Sequence, residues 1–149
     1  MDTDERRFDS LTYRIIGCAF EVHNRLGHGF LEKVYETALA YELRLLGLKV
    51  EQQVPLRVMY KDILAGEYIA DLIVEGVVLV ELKAIRAIDP AHIAQCINYV
   101  TATGLPIGLV INFGTKVEHR RVAGPTLRDP SASIGAPSAA TPLPTPRIE

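Results

Sequence analysis

Tyr68-Ile69-Ala70-Asp71-Leu72-Ile73-Val74-Glu75-Gly76-Val77-Val78-Leu79-Val80-Glu81-Leu82-Lys83 decides the fold. Glu67 to Val74 and Val77 to Ile85 are rich in Ile, Val and Leu, and they meet at Glu75-Gly76. Apolar residues occupy both parities, as in central strands covered on both faces. Inside these dry strands lie Asp71, Glu81 and Lys83. An unpaired charge in such surroundings costs several kcal/mol, so the three groups require a partner or an ion.

Glu81 and Lys83 are two residues apart and project from one face of their strand. The turn decides whether Asp71 joins them. A three-residue loop Val74-Glu75-Gly76, with Gly76 left-handed, pairs Ile73 with Val77 and Asp71 with Leu79, which puts Asp71 on the shared face. A two-residue turn at Glu75-Gly76 pairs Asp71 with Val80 and sends it to the other face, unless a bulge restores the parity.

Outward from this pair, Leu11, Ile15, Cys18, Ala19, Val22 and Leu26 recur at helical spacing and predict a helix from Ser10 to Arg25, ended by Leu26-Gly-His-Gly29. A second helix runs from Phe30 to Leu46, stopped by Gly47. Leu48 to Tyr60 reads as an extended segment, with Pro55 at an edge or bulge and a turn at Lys61-Asp62. Asp89-Pro90 starts a third helix, Asp as N-cap and Pro at the first helical position, ending near Thr103 before Gly104-Leu-Pro106. Ile107 to Phe113 is a buried strand, and Lys116 to Val122 a short basic one. The order makes an α/β or α+β sandwich with a mixed sheet flanked by helices.

The 149 residues suit one domain, placed at 1–123, with 48% hydrophobic and 23% charged residues. From 124 to 149 Pro, Ala, Ser and Thr dominate, and a disordered tail is expected. A net charge of -2 excludes coating of nucleic acid by bulk positive charge, though not a local basic groove. Cys18 and Cys96 sit in apolar stretches as small hydrophobes. The charged first ten residues and the lack of a long apolar run imply a cytoplasmic protein without a membrane span.

Two carboxylates and an ammonium on one patch are what phosphodiester hydrolysis needs: hard oxygen ligands for Mg²⁺ or Mn²⁺ and a cation for developing charge. Asp71 followed by Glu81-Leu82-Lys83 resembles the D…ExK core of the PD-(D/E)XK nuclease superfamily. Gly29-Phe-Leu-Glu32-Lys-Val-Tyr35 matches the motif of its GxxExxY protein family, and Gln95-Cys-Ile-Asn-Tyr99 resembles the QxxxY helix motif of RecB-type members. The resemblance spans Leu11 to Val122.

It implies a restriction-endonuclease-like core and a metal-dependent nuclease acting on nucleic acid, DNA before RNA, with a homodimer as an option. By that resemblance Asp71, Glu81 and the Leu82 carbonyl hold Mg²⁺ or Mn²⁺, with Glu32 joining directly or through water. Lys83 serves the attacking water, and Gln95 and Tyr99 orient substrate or Lys83. Tyr35, Arg120 and Arg121 are further candidates for substrate contact.

Each residue also has a plainer reading. With Gly29 as N-cap, Glu32 is the third helical residue, reaching back to a free N–H and favouring the helix dipole. Asp71, Glu81 and Lys83 could form a structural ion-pair cluster, although such clusters seldom improve on apolar packing. Gln95 and Tyr99 could be a helix-surface pair, and Lys116, His119, Arg120 and Arg121 a solvated edge. His23, His28 and His92 lack the further ligands of a zinc site. The rival functions are a catalytically silent nucleic-acid-binding or protein-adaptor module on the same fold, and a structural subunit self-associating through the first helix.

Overall fold

In the computed structural model, residues 3–128 and 140–141 are described. The elements are α1 (Thr3–Leu26), α2 (Glu32–Leu45), β1 (Val50–Tyr60), β2 (Ile63–Val74), β3 (Val78–Lys83), α3 (Pro90–Thr103), β4 (Ile107–Phe113) and β5 (Val117–Ala123). A short turn of helix, α4 (Pro125–Arg128), and a two-residue strand, β6 (Ala140–Thr141), follow. The sheet order is β5-β4-β3-β2-β1-β6. β3 and β4 are parallel, joined through α3, and the other neighbours are antiparallel. The architecture is therefore α/β with a mixed sheet, as expected.

Strand alternation sorts the core into two layers. Val78, Val80 and Leu82 of β3 and Ile107, Leu109 and Ile111 of β4 pack with Ile15, Leu39 and Leu43 from α1 and α2. Leu79 and Val110 face the other way, onto Cys96, Tyr99 and Val100 of α3. Runs that bury both parities thus become the middle of a three-layer sandwich. Both cysteines are free and buried.

The local signals act as expected at α3. Asp89 Oδ1 accepts from Ala91 N at 2.7 Å, His92 Nδ1 accepts from Asp89 N at 3.0 Å, and Gly104 closes the helix at φ 75°. His92 is accounted for by this cap. α1 begins earlier than its apolar periodicity shows, because Thr3 to Asp9 extend it with mostly exposed residues.

Of the segment expected to be disordered, Pro125–Arg128 instead forms a helical turn whose Leu127 packs on the core. Gly124 N donates to the Pro106 carbonyl at 2.7 Å. One leucine in a Pro-rich context suffices to anchor that turn. Ala140–Thr141 pairs with Arg57 and Val58 of β1; the remainder of the segment lies outside the described residues.

Candidate active site

The loop between β2 and β3 has three residues, shifted by one from the expected set: Val74 pairs with Val78 and Ile73 with Leu79, leaving Glu75-Gly76-Val77. Glu75 (φ 56°) and Gly76 (φ 65°) are both left-handed, and Val77 N bonds the Val74 carbonyl at 3.0 Å. This is the paired left-handed conformation that suits the twist of a hairpin. Parity is preserved: the ladder ends at Leu72 and Val80, and one more step sets Asp71 opposite Glu81.

Past that point carboxylates replace ladder bonds. Asp71 Oδ2 accepts from Leu82 N at 2.7 Å, and the Asp71 backbone beside the Glu81 carboxylate favours its charged form. The cause lies partly in β1. Gln53, a non-glycine residue at φ 52°, lies between the pairs Gln52–Leu72 and Val54–Ala70, opposite Asp71. Ala70 packs with the α3 layer while Leu72, two residues on, packs with α1 and α2. A regular strand would keep both on one face, so the β1–β2 arm turns over at Gln53 and Asp71. Strained backbone of this kind persists where its surroundings over-determine it, often at functional sites.

Glu81 is 8% exposed, and its Oε2 is a buried polar atom without a hydrogen-bond partner among the described residues. Burial first, then the Asp71 charge, pushes its pKa up to about 8, against the pull of Lys83. Asp71 is also raised, chiefly by burial, with the Leu82 amide opposing. Glu32 is raised by desolvation and by Asp71, with Lys83 opposing. The Lys83 ammonium forms no ion pair or hydrogen bond among the described residues, so one lysine faces three carboxylates and offsets them only at a distance. The cluster is short of positive charge.

Glu32 is the first residue of α2, and the N-cap is Leu31, which makes no side-chain cap. The capping-box reading with Gly29 therefore fails, because Gly29 (φ 105°) and Phe30 belong to the preceding loop. Glu32 is exposed at the helix start. No group of three or more His, Cys, Asp or Glu side chains is gathered to hold an ion among the described residues. The close carboxylate pair is Asp71 and Glu81, and Leu82 contributes the amide that fixes Asp71.

Sequence reading missed Glu36 and Gln53. Glu36 is 3% exposed, and its carboxylate accepts from Gln53 Nε2 at 2.7 Å, Gln52 Nε2 at 2.8 Å and Lys33 Nζ at 3.2 Å. The Gln53 amide also approaches Asp71 Oδ1 at 3.5 Å. Arg44 ties the same network to β1 through Gln52 Oε1 and the Val50 carbonyl. The one available signal was spacing: Glu36 follows Glu32 by four residues, on the same helix face.

The other candidates divide. Tyr99 is buried, its ring lies 5.1 Å from that of Tyr68, and burial and the Glu81 charge push its hydroxyl up to about 12. Gln95, one turn earlier, is exposed and makes no side-chain hydrogen bond among the described residues. Tyr35 does not face a substrate: it is fully buried, stacked on Phe113 at 4.5 Å, and its hydroxyl donates to the Gly27 carbonyl at 2.7 Å. It braces the loop before α2. Arg121 pairs with Asp9 of α1 at 2.7 Å, whereas Arg120 is exposed on β5.

The residues present fit a hard divalent cation better than a closed zinc site. Two carboxylates are available, one with an orphaned buried oxygen, in a region lacking positive charge, and Mg²⁺ is commonly held by one or two carboxylates plus water and phosphate oxygens.

No curated protein matches the sequence. Among solved structures, the crystal structure of SSO0001 is similar in fold, with a TM-score of 0.53 and 16% identity. The match covers 78% of this chain and 61% of that one, so the chain spans under two thirds of that structure's length. A family model of the PD-(D/E)XK nuclease superfamily matches residues 9–122, from within α1 almost to the end of β5. The chain belongs to the PD-(D/E)XK nuclease superfamily.

Proposed function

We propose that this chain is a metal-dependent nuclease of the GxxExxY type that hydrolyses phosphodiester bonds of nucleic acid, with DNA as the first substrate to test. The observation that carries it is the partnerless buried Glu81 Oε2 beside Asp71, where β2 and β3 part. Asp71 and Glu81, with the Leu82 carbonyl, would hold Mg²⁺ or Mn²⁺. Such an ion, when bound, neutralises charge on the phosphoryl oxygens and lowers the pKa of its water.

The chain's own groups do the rest. The Leu82 amide and Gln53 fix the Asp71 carboxylate, and Glu36 fixes Gln53. Lys83, uncommitted in the structure, orients the attacking water and stabilises charge developing on the phosphate. Glu32 approaches from α2 through water, and Tyr99 limits solvent at the α3 side. Gln95 and Arg120, both exposed, are free to contact substrate.

The test is cleavage of labelled DNA and RNA, single- and double-stranded, with Mg²⁺, Mn²⁺ or EDTA. Cleavage that needs the ion and falls by about 100-fold or more in Asp71→Asn and Lys83→Ala, with both variants folded, supports the reading. Binding without turnover under any ion, indifferent to Asp71→Asn, would assign the fold to a binding or adaptor module instead. Self-association through α1, where Tyr13 and Phe20 are exposed, is read by light scattering.

A further inference from the structure

At the start of α2 and the end of β3 lies a cleft of about 710 Å³, walled by the loop before α2, the loop after β3 and the turn after β4. Leu31 and Ala84 line it, and these are the chain neighbours of Glu32 and Lys83. The cleft therefore lies at the same ends of α2 and β3 as Glu32 and Lys83. Its volume falls in the range, roughly 300–1,000 Å³, of sites that enclose one small molecule or a single group of a larger one.

Its far walls are rigid. Asn112, fully buried, accepts from Ile85 N at 2.9 Å and donates to the Ile85 carbonyl at 3.0 Å and to Glu118 at 3.1 Å. Gly114 is packed so closely that a Cβ there would meet the Ile85 carbonyl oxygen at 2.9 Å, and its own carbonyl is bonded by His23 Nε2 at 2.9 Å. Against these fixed walls stand side chains with no fixed partner. His28 and Arg86 line the cleft, are exposed, and make no hydrogen bond or ion pair among the described residues. Phe30, 46% exposed, also lines the cleft, its ring set edge-to-face against that of Tyr35 at 6.2 Å.

A guanidinium, an imidazole and a half-exposed aromatic ring in a pocket with braced walls match the parts of a nucleotide: phosphate for the first two, a base face for the third. A base inside a duplex has both faces stacked and offers none to Phe30, whereas an unpaired base does. Resting on the nuclease reading, we propose that this cleft receives an unpaired nucleotide adjoining the scissile phosphate, Phe30 stacking on its base and Arg86 holding its phosphate. The preferred substrate is then a single strand or a frayed end.

The experiment measures binding of fluorescein-labelled dT12 and of a blunt duplex of equal length by anisotropy, in EDTA, across a salt series. The wild-type chain should bind dT12 about tenfold more tightly than the duplex. Phe30→Leu, which keeps apolar bulk and removes the ring face, should weaken dT12 about tenfold. Arg86→Gln should flatten the slope of log affinity against log salt by about 0.7, the share of one phosphate contact on a single strand. Equal affinity for the two probes, or dT12 binding unmoved by both substitutions, overturns the proposal. The two readings fail separately: ion-dependent cleavage lost in Asp71→Asn with no strand preference sinks only the cleft. Strand preference through Phe30 and Arg86 with no cleavage of any substrate sinks only the nuclease.

Discussion

Glu81 makes the stability of the metal-free protein depend on pH in a direction opposite to that of most carboxylates. Its pKa rises from 4.5 to about 8 on folding, first because burial disfavours the charged form and second because of Asp71. Between those values the folded chain holds a proton that the unfolded chain has released, so stability present below about pH 4.5 is lost as pH climbs to about 8. At about 1.36 kcal/mol per pH unit the gap corresponds to about 5 kcal/mol. That is comparable to the whole stability of a weak domain, typically 5–15 kcal/mol. Asp71 is shifted the same way and adds to the trend. Glu81→Gln removes the titrating group while keeping its shape. Urea unfolding in EDTA, from pH 4.5 to 8.5, should show the wild type losing several kcal/mol. Glu81→Gln should lose much less and become the more stable of the two at pH 8. Parallel pH profiles for the two proteins would refute the reasoning, because the burden would then not lie on Glu81.

Three further outcomes follow from single contacts. Tyr35→Phe keeps the stack on Phe113 but removes the hydroxyl bonded to Gly27, and should lower the unfolding free energy by about 1–2 kcal/mol in urea. Asn112→Ala strips Ile85 of both its side-chain bonds; a loss of about 2–4 kcal/mol is expected, together with faster amide exchange at Ile85. Glu36→Ala leaves the Gln52 and Gln53 amides without their shared acceptor. It should cost about 2–3 kcal/mol and weaken Mn²⁺ binding by freeing Gln53 beside Asp71, as calorimetric titration would show.

Much of the scaffold was legible because local signals and burial agree. The apolar runs around Asp71 and Glu81 could only be central strands, and Asp89-Pro90 and Gly104 bound α3 by backbone preferences that tertiary contacts do not override. The parity argument held through a loop one residue from the expected place, since a three-residue connection preserves parity wherever it falls. What stayed hidden depends on contacts distant in sequence. Alternation gives no warning that β1 and β2 turn over at Gln53, because glutamine is not a residue that favours a positive φ and the strain there is imposed by the surrounding strands. Glu36 gives no signal beyond its spacing from Glu32, because its partners, Gln52 and Gln53, arrive from β1. Tyr35, a candidate for substrate contact through its motif, is instead covered by Phe113 of β4. Arg121 looked free until α1 brought Asp9 beside it.

The most direct test of the site is a crystal soaked in Mn²⁺ and measured at the manganese edge. One ion bound between the Asp71 and Glu81 carboxylates, with the Leu82 carbonyl beside it and Lys83 within reach of its water, is the expected result. An anomalous map without a peak there at saturating Mn²⁺, or with the ion held elsewhere while Glu81 stays protonated, would contradict it.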